Sequence, residues 1–142
     1  MKVYLYNSVQ KLTIPTLQNK QIIDLTKIIN DLLVKNGYTD GIVFLFCTHT
    51  TCSLALADLD TGGTDEDYLN AYEALVPKLN YKHPHNPGHF GNHLMTTTLG
   101  SSLFIPVQSA SMVLGAWQKV ALIEFDGPSE RHVTLSFIKI TS

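Results

Sequence analysis

The chain has 142 residues, which suits one domain spanning 1–142. Hydrophobic residues make up 44% and charged residues 15%, so a sizeable core is possible and disorder is not expected. Ten basic against twelve acidic residues give a formal charge of −2, with no basic stripe for nucleic acid and no apolar run long enough for a bilayer.

The N-terminus, Met1 to Tyr6, is too short and too soon polar to be a secretory leader, so the expected compartment is the cytoplasm. Loose alternation on either side of Pro15 predicts a strand pair, Val3–Thr13 with Gln21–Asp24. Leu25, Ile28, Ile29, Leu32 and Leu33 then recur at helical spacing. Asp24 can accept from the free amides at the start of that helix, and Gly37 stops it. Gly41–Cys47 is a continuous apolar run with β-branched and aromatic residues, which predicts a buried central strand. Thr48-His49-Thr50-Thr51 therefore emerges at the end of a rigid element. Leu54–Ala57 resumes as a strand ending at Asp58, and Leu59–Thr64 is a loop whose Thr64 can cap a helix over Asp65–Leu75.

Pro77–Gly91 carries Pro84, Pro87, Gly88 and Gly91 and predicts a long irregular loop holding His83, His85 and His89. Asn92 caps a short helix, His93–Leu99, stopped by Gly100. Leu103–Gln108, Gln118–Phe125 and Val133–Ile140 read as strands, with Met112–Leu114 as a short addition. Strands dominate and the order is irregular, a pattern that suits α+β better than a doubly wound parallel sheet.

Five of the six histidines fall between His49 and His93, at turns, loops and element ends. Neutral imidazole is both a metal ligand and a proton carrier near neutral pH, so this clustering points to a metal site or, more blandly, to solvated loop histidines. There is no H-E-x-x-H pattern, and Pro84 keeps His83 and His85 from sharing a helix face. Asp65, Glu66 and Asp67 have an ordinary role at a positive helix end. Asp58, at a strand end, is the better inward-facing carboxylate. Trp117 reads as core or interface. Glu124 lies in an apolar strand, where a carboxylate needs a partner, and Arg131 could pair with it or bind phosphate. Asp126-Gly127-Pro128 reads as a turn. The hydroxyls from Thr96 to Ser102 could bind an anion. Cys47 reads as a small buried hydrophobe, while Cys52, near His49, keeps a thiol role open.

In this order, Cys47-Thr48-His49-Thr50-Thr51, Tyr81-Lys82-His83, Asn92-His93-Leu94, Leu99-Gly100-Ser101-Ser102-Leu103, Gly115-Ala116-Trp117-Gln118 and Glu124-Phe125-Asp126-Gly127-Pro128 resemble the YjbQ family. Its members are also described as secondary thiamine-phosphate synthases. The resemblance implies an α+β fold with a β-sandwich-like, mixed or antiparallel core and two or three helices, a homotrimer, and a polar cleft collecting the motif histidines. It marks His49, His83, His93, Trp117, Gln118, Glu124, Asp126 and Arg131. It offers no counterpart for His85 or His89. Where the family carries a segment like Asn-Glu-Asn, this chain has Ala57-Asp58-Leu59-Asp60, so Asp58 or Asp60 takes that place.

Three functions follow as expectations. One is a transferase joining a pyrimidine methyl diphosphate to a thiazole phosphate, with Arg131, Ser101 and Ser102 on the phosphates and Trp117 and Gln118 on the substrate. Another is a metal-dependent hydrolase or lyase with His49, His83 and His93 holding Zn²⁺ or Mg²⁺, and His49, Glu124, Asp126 and Asp58 as acid–base groups. The third is a trimer that holds a small anion without turnover. In each case the partner is a small, phosphorylated molecule rather than nucleic acid or membrane.

Overall fold

The computed structural model of the protein describes residues 2–5 and 9–141. In chain order the elements are β1 (Lys2–Leu5), β2 (Gln10–Pro15), β3 (Gln21–Asp24), α1 (Thr26–Lys35), β4 (Gly41–Cys47) and β5 (Cys52–Ala57). They continue with α2 (Thr64–Leu75), α3 (Phe90–Leu99), β6 (Ser102–Gln108), β7 (Ser111–Met112), β8 (Lys119–Glu124) and β9 (Glu130–Thr141). The middle of the expected Val3–Thr13 strand, residues 6–8, lies outside the described residues. Neither of its ends pairs with β3. β1 and β2 take successive halves of the long β9, whereas β3 pairs with β8. Alternation along a strand reports which face is buried and carries no information about the neighbour.

Among the described residues, a six-stranded sheet runs β1-β9-β4-β6-β7 with β2 also on β9, and a three-stranded sheet runs β3-β8-β5. Every described pairing is antiparallel, and the fold is α+β. The main core lies between the sheets: Val43, Leu45, Ile105, Val133, Leu135 and Phe137 meet Cys52, Leu54, Val120 and Leu122, joined by Ile29 and Leu33 of α1. Each fully buried Leu or Ile here contributes about 1.5–3 kcal/mol. A second core covers the other face of the small sheet, where Ala121, Ile123 and Phe125 pack with Met95 of α3 and Tyr72 of α2. The middle strand, β8, is therefore covered on both sides and is buried from Val120 through Glu124.

β4 differs from its expected burial. Val43, Leu45 and Cys47 face inward, but Phe46 is 40% exposed and Phe44 stacks at 4.4 Å on Phe104, itself 64% exposed. The run is apolar throughout because its outward residues Ile42, Phe44 and Phe46 are apolar too, beside Phe104 and Pro106 of β6, while β9 presents Thr134 and Ser136 on that face.

Helix ends follow local chemistry. Asp24 Oδ1 accepts the Thr26 amide at 2.8 Å, and Gly37, at φ 65°, ends α1. The cap position of α2 is Gly63 at φ 111°, and Thr64 lies inside the first turn. α3 begins at Phe90, and a 3₁₀ turn over Pro87–His89 extends its path backwards. Asn92 is therefore inside the helix and not its cap. The fixed φ of proline suits a first helical position, so Pro87 starts this segment where the sequence suggested loop. No helix among the described residues is long and apolar enough to cross a membrane.

Candidate metal centre

Period-two alternation in β8 and β9 sets up the polar end of the sandwich. Glu124 continues the inward face of Val120 and Leu122, and Arg131 that of Val133 and Leu135, so an acid and a base meet inside an apolar layer. Glu124 is 0% and Arg131 6% exposed. Arg131 Nε donates to Glu124 Oε2 at 2.6 Å and Nη2 to Oε1 at 2.5 Å. The Thr16 hydroxyl adds a bond to Oε2 at 2.9 Å and the Asp126 amide one to Oε1 at 2.9 Å. Burial pushes the Glu124 carboxyl up, but the Arg131 fork, the Asp126 amide and the Thr16 hydroxyl together hold it below its ordinary value. Four donors fill the lone-pair positions of this carboxylate. That departs from the expected acid–base role of Glu124 and from Arg131 as a phosphate ligand.

Arg131 also grips the loop after β4. Nη2 donates to Thr51 Oγ1 at 3.0 Å, and Nη1 lies 3.3 Å from His49 Nδ1. The His132 amide donates to His49 Nε2 at 2.8 Å. An amide N–H has no lone pair, so Nε2 is the acceptor and the ring proton sits on Nδ1, facing the guanidinium. Burial, and then the Arg131 charge, lower the His49 pKa, and the ring is neutral. Its one lone pair is taken, which removes His49 from the ligand set expected for it.

The histidines that do converge are His83, His89 and His93, which offer one nitrogen each, all within 4.8 Å of one another. Ring centroids are 4.8 Å apart for His83 and His93, 4.8 Å for His89 and His93, and 5.6 Å for His83 and His89. His89 and His93 stand one turn apart on the helical path of α3. His83 is delivered by the preceding loop, where the Tyr81 hydroxyl donates to the Pro77 carbonyl and Tyr81 packs on Phe90 at 4.8 Å. His85, at φ 68°, helps turn the chain back and is itself exposed.

Two of these rings have an outer acceptor. His89 Nε2 is 2.7 Å from Asp126 Oδ2, and His93 Nδ1 is 3.1 Å from the Thr50 carbonyl oxygen. A carboxylate and a carbonyl only accept, so in the neutral rings those nitrogens carry the protons. The lone pairs are then on His89 Nδ1 and His93 Nε2. His83 Nδ1 is buried with no hydrogen-bond partner. Three imidazoles with oriented or unmatched nitrogens could hold a metal ion, and three nitrogen ligands are a set that catalytic zinc sites use.

His89 is the residue that the sequence reading set aside. Its signal was the i,i+4 spacing to His93, hidden because Pro87, Gly88 and Gly91 suggested loop as far as Gly91. The remaining expected residues stand elsewhere. Asp58 is exposed and accepts the Asp60 amide at 3.0 Å within its own turn. Trp117 is 70% exposed, and Gln118 Oε1 accepts the Gly115 amide at 2.8 Å. The Ser101 carbonyl accepts the Cys47 amide at 2.8 Å, and Ser102 opens β6. No hydrogen bond or ion pair among the described residues joins Asp58, Asp60, Ser101, Ser102, Trp117 or Gln118 to the three histidines. Cys47 and Cys52 are free and buried; the Cys47 hydrogen bond and burial push the Cys52 thiol well up, away from nucleophilic chemistry.

The model of one protein family, described as UPF0047 protein YjbQ-like, matches residues 10–140. A UPF0047 protein of Archaeoglobus fulgidus is 36% identical over 124 residues, covering 87% of this chain and 95% of that one. Another, of Methanothermobacter thermautotrophicus, is 30% identical over 137 residues, covering 96% and 92%. Among solved structures, a YbjQ-like protein of unknown function from Sulfolobus solfataricus gives a TM-score of 0.86 at 28% identity, covering 98% of this chain and 100% of that one.

Proposed function

The chain belongs to the UPF0047 YjbQ-like family, and from that premise we propose a metal-dependent small-molecule enzyme of the hydrolase or lyase kind, centred on His83, His89 and His93. The observation that carries this reading is the pairing of His89 with Asp126 and of His93 with the Thr50 carbonyl. Such outer partners fix the tautomer of a ligating histidine and aim its lone pair. Three nitrogens favour Zn²⁺ over Mg²⁺, which prefers oxygen. Bound there, a zinc-class ion supplies Lewis acidity and lowers the pKa of a coordinated water to about 7.

The residues themselves do the holding. Asp126 keeps the proton of His89 on Nε2, and Thr50 keeps that of His93 on Nδ1. A cavity of about 500 Å³, lined by Tyr72, Val76, Asn80, Asn92, Met95 and Phe125 among others, lies along the start of α3; none of the three histidines lines it. Its size and its mix of apolar and amide surface suit a small organic substrate. The transferase expected from the resemblance needs Arg131 on a phosphate, and the guanidinium is instead committed to Glu124 and Thr51. The same proposal extends to a homotrimer, supported by the uncovered Phe44, Phe46 and Phe104 face.

Elemental analysis of protein purified without a histidine tag, together with its native mass, tests both parts. Near one transition-metal ion per chain is expected, lost in His83→Ala, His89→Ala and His93→Ala and kept in His85→Ala. Metal-dependent hydrolysis of model esters or phosphates should follow the same pattern, at a native mass of three chains. A wild-type protein that neither holds metal nor takes up added Zn²⁺ refutes the centre.

A further inference from the structure

Between the two outer acceptors runs a chain of contacts whose middle, the Glu124–Arg131 pair, is buried. From His93 it passes to the Thr50 carbonyl at 3.1 Å. Next to Thr50, Thr51 Oγ1 accepts from the Arg131 guanidinium at 3.0 Å, while His49, with its proton on Nδ1, lies beside it at 3.3 Å without a hydrogen bond. Arg131 grips Glu124 through Nε and Nη2 at 2.6 and 2.5 Å. Glu124 Oε1 in turn takes the amide of Asp126 at 2.9 Å, and Asp126 Oδ2 meets His89 at 2.7 Å. A second tie, from the Phe125 amide to the Thr51 carbonyl at 3.0 Å, joins the same two segments. Backbone packing leaves little slack at the Asp126 end. A Cβ on Gly127 would lie 2.2 Å from the Gln18 carbonyl oxygen and 3.0 Å from Glu124 Cγ.

We propose that Glu124 and Arg131 are positioning residues of the histidine centre: their buried ion pair sets the spacing between Thr50 and Asp126, and so between the lone pairs of His93 and His89. The inference rests on the metal reading above. Its physical basis is that a two-point Arg–carboxylate fork fixes direction as well as distance. The loop after β4 runs into β5, whose Cys52 is paired with Glu124, so the ladder already brings the two segments together. The fork adds the side-chain tie that fixes how Thr50 and Asp126 are presented beyond the end of that ladder. An ion pair at this place also costs desolvation, which a purely structural core would avoid with apolar side chains.

That difference supplies the test. Zn²⁺ affinity is measured by competition with a chromophoric chelator for wild type, Glu124→Gln, Arg131→Lys and the double variant Glu124→Leu/Arg131→Met. The single variants should lose both stability and about 10–100-fold in Zn²⁺ affinity. Arg131→Lys should behave like the others, because one ammonium cannot hold Glu124 and Thr51 together in a planar fork. The double variant is decisive: its apolar pair should melt close to wild type while Zn²⁺ affinity stays 10–100-fold down. Leu33→Ala, which empties a core site in α1, should lower the melting temperature and leave affinity unchanged.

Wild-type Zn²⁺ affinity in the double variant would overturn the positioning role and leave the metal centre standing. Absence of Zn²⁺ binding in wild type would overturn the centre. In that case the metal-free crystal structure of Glu124→Gln still decides the spacing claim. Displacement of Thr50 from His93 or of Asp126 from His89 supports it, and unchanged contacts refute it.

Discussion

Two polar clusters meet at Asp126 and are built on opposite principles. Around Glu124 and Arg131 every lone pair of the carboxylate has a donor, and both side chains are buried. Around His83, His89 and His93 two rings are aimed by acceptors while the buried Nδ1 of His83 has none. A saturated network resists change, and an unsaturated one is ready to receive something. On the proposed metal reading the saturated cluster supports and the unsaturated one binds the ion, and a buried carboxylate is not by itself a catalytic one. Residue type suggested Glu124 and Arg131 for chemistry, and the hydrogen-bond count reassigns them.

Removing one half of the saturated pair should give the largest effect in the molecule. Glu124→Ala leaves the Arg131 charge buried with its main partner gone, and unfolding free energy in urea should fall by about 3–5 kcal/mol. A loss below about 1 kcal/mol, the range of exposed pairs, would show that water reaches the pair and would erase the contrast between the clusters.

Asp126→Asn should separate the clusters instead. Its amide still donates to Glu124, so the support persists, but the carboxylate that holds the His89 proton is gone. Zn²⁺ affinity should drop about 10–100-fold, while stability moves by no more than about 0.5 kcal/mol because the Asp126 side chain is 41% exposed. Equal losses in both measurements would mean that the two clusters are one.

Much of the fold was legible because it rests on local pattern. The helical spacing of Leu25 to Leu33, the strand at Gly41–Cys47 and the acid-rich start of α2 all reappear in place. Partner choice was not legible: nothing in the alternation of β2 says that it pairs with β9 and not with β3. The site was half legible for the same reason. His83, His93 and Asp126 carry motif signals. His89 needed the helix to begin earlier than its proline and glycines suggested, and Thr50 contributes a main-chain carbonyl that residue identity does not encode. His49 was misplaced because its chemistry depends on an amide donor from β9, 83 positions away.

That amide also makes the smallest of these effects, and the most specific. With Nε2 accepting from His132 and Nδ1–H against Arg131, folded His49 resists protonation, first through burial and then through the Arg131 charge. In the unfolded chain the same imidazole titrates near its ordinary value, about 6.5. Between that value and the lower folded one, the unfolded state binds more protons. The His49 contribution to stability is therefore complete above pH about 6.5 and declines as pH falls, with a slope of at most about 1.4 kcal/mol per pH unit. Urea unfolding from pH 7.5 to 5 should show this decline in wild type and a shallower one in His49→Gln, whose amide oxygen can still accept from His132. Should the variant keep the full slope, the proton belongs to another group, and the assignment of Nε2 as the acceptor fails with it.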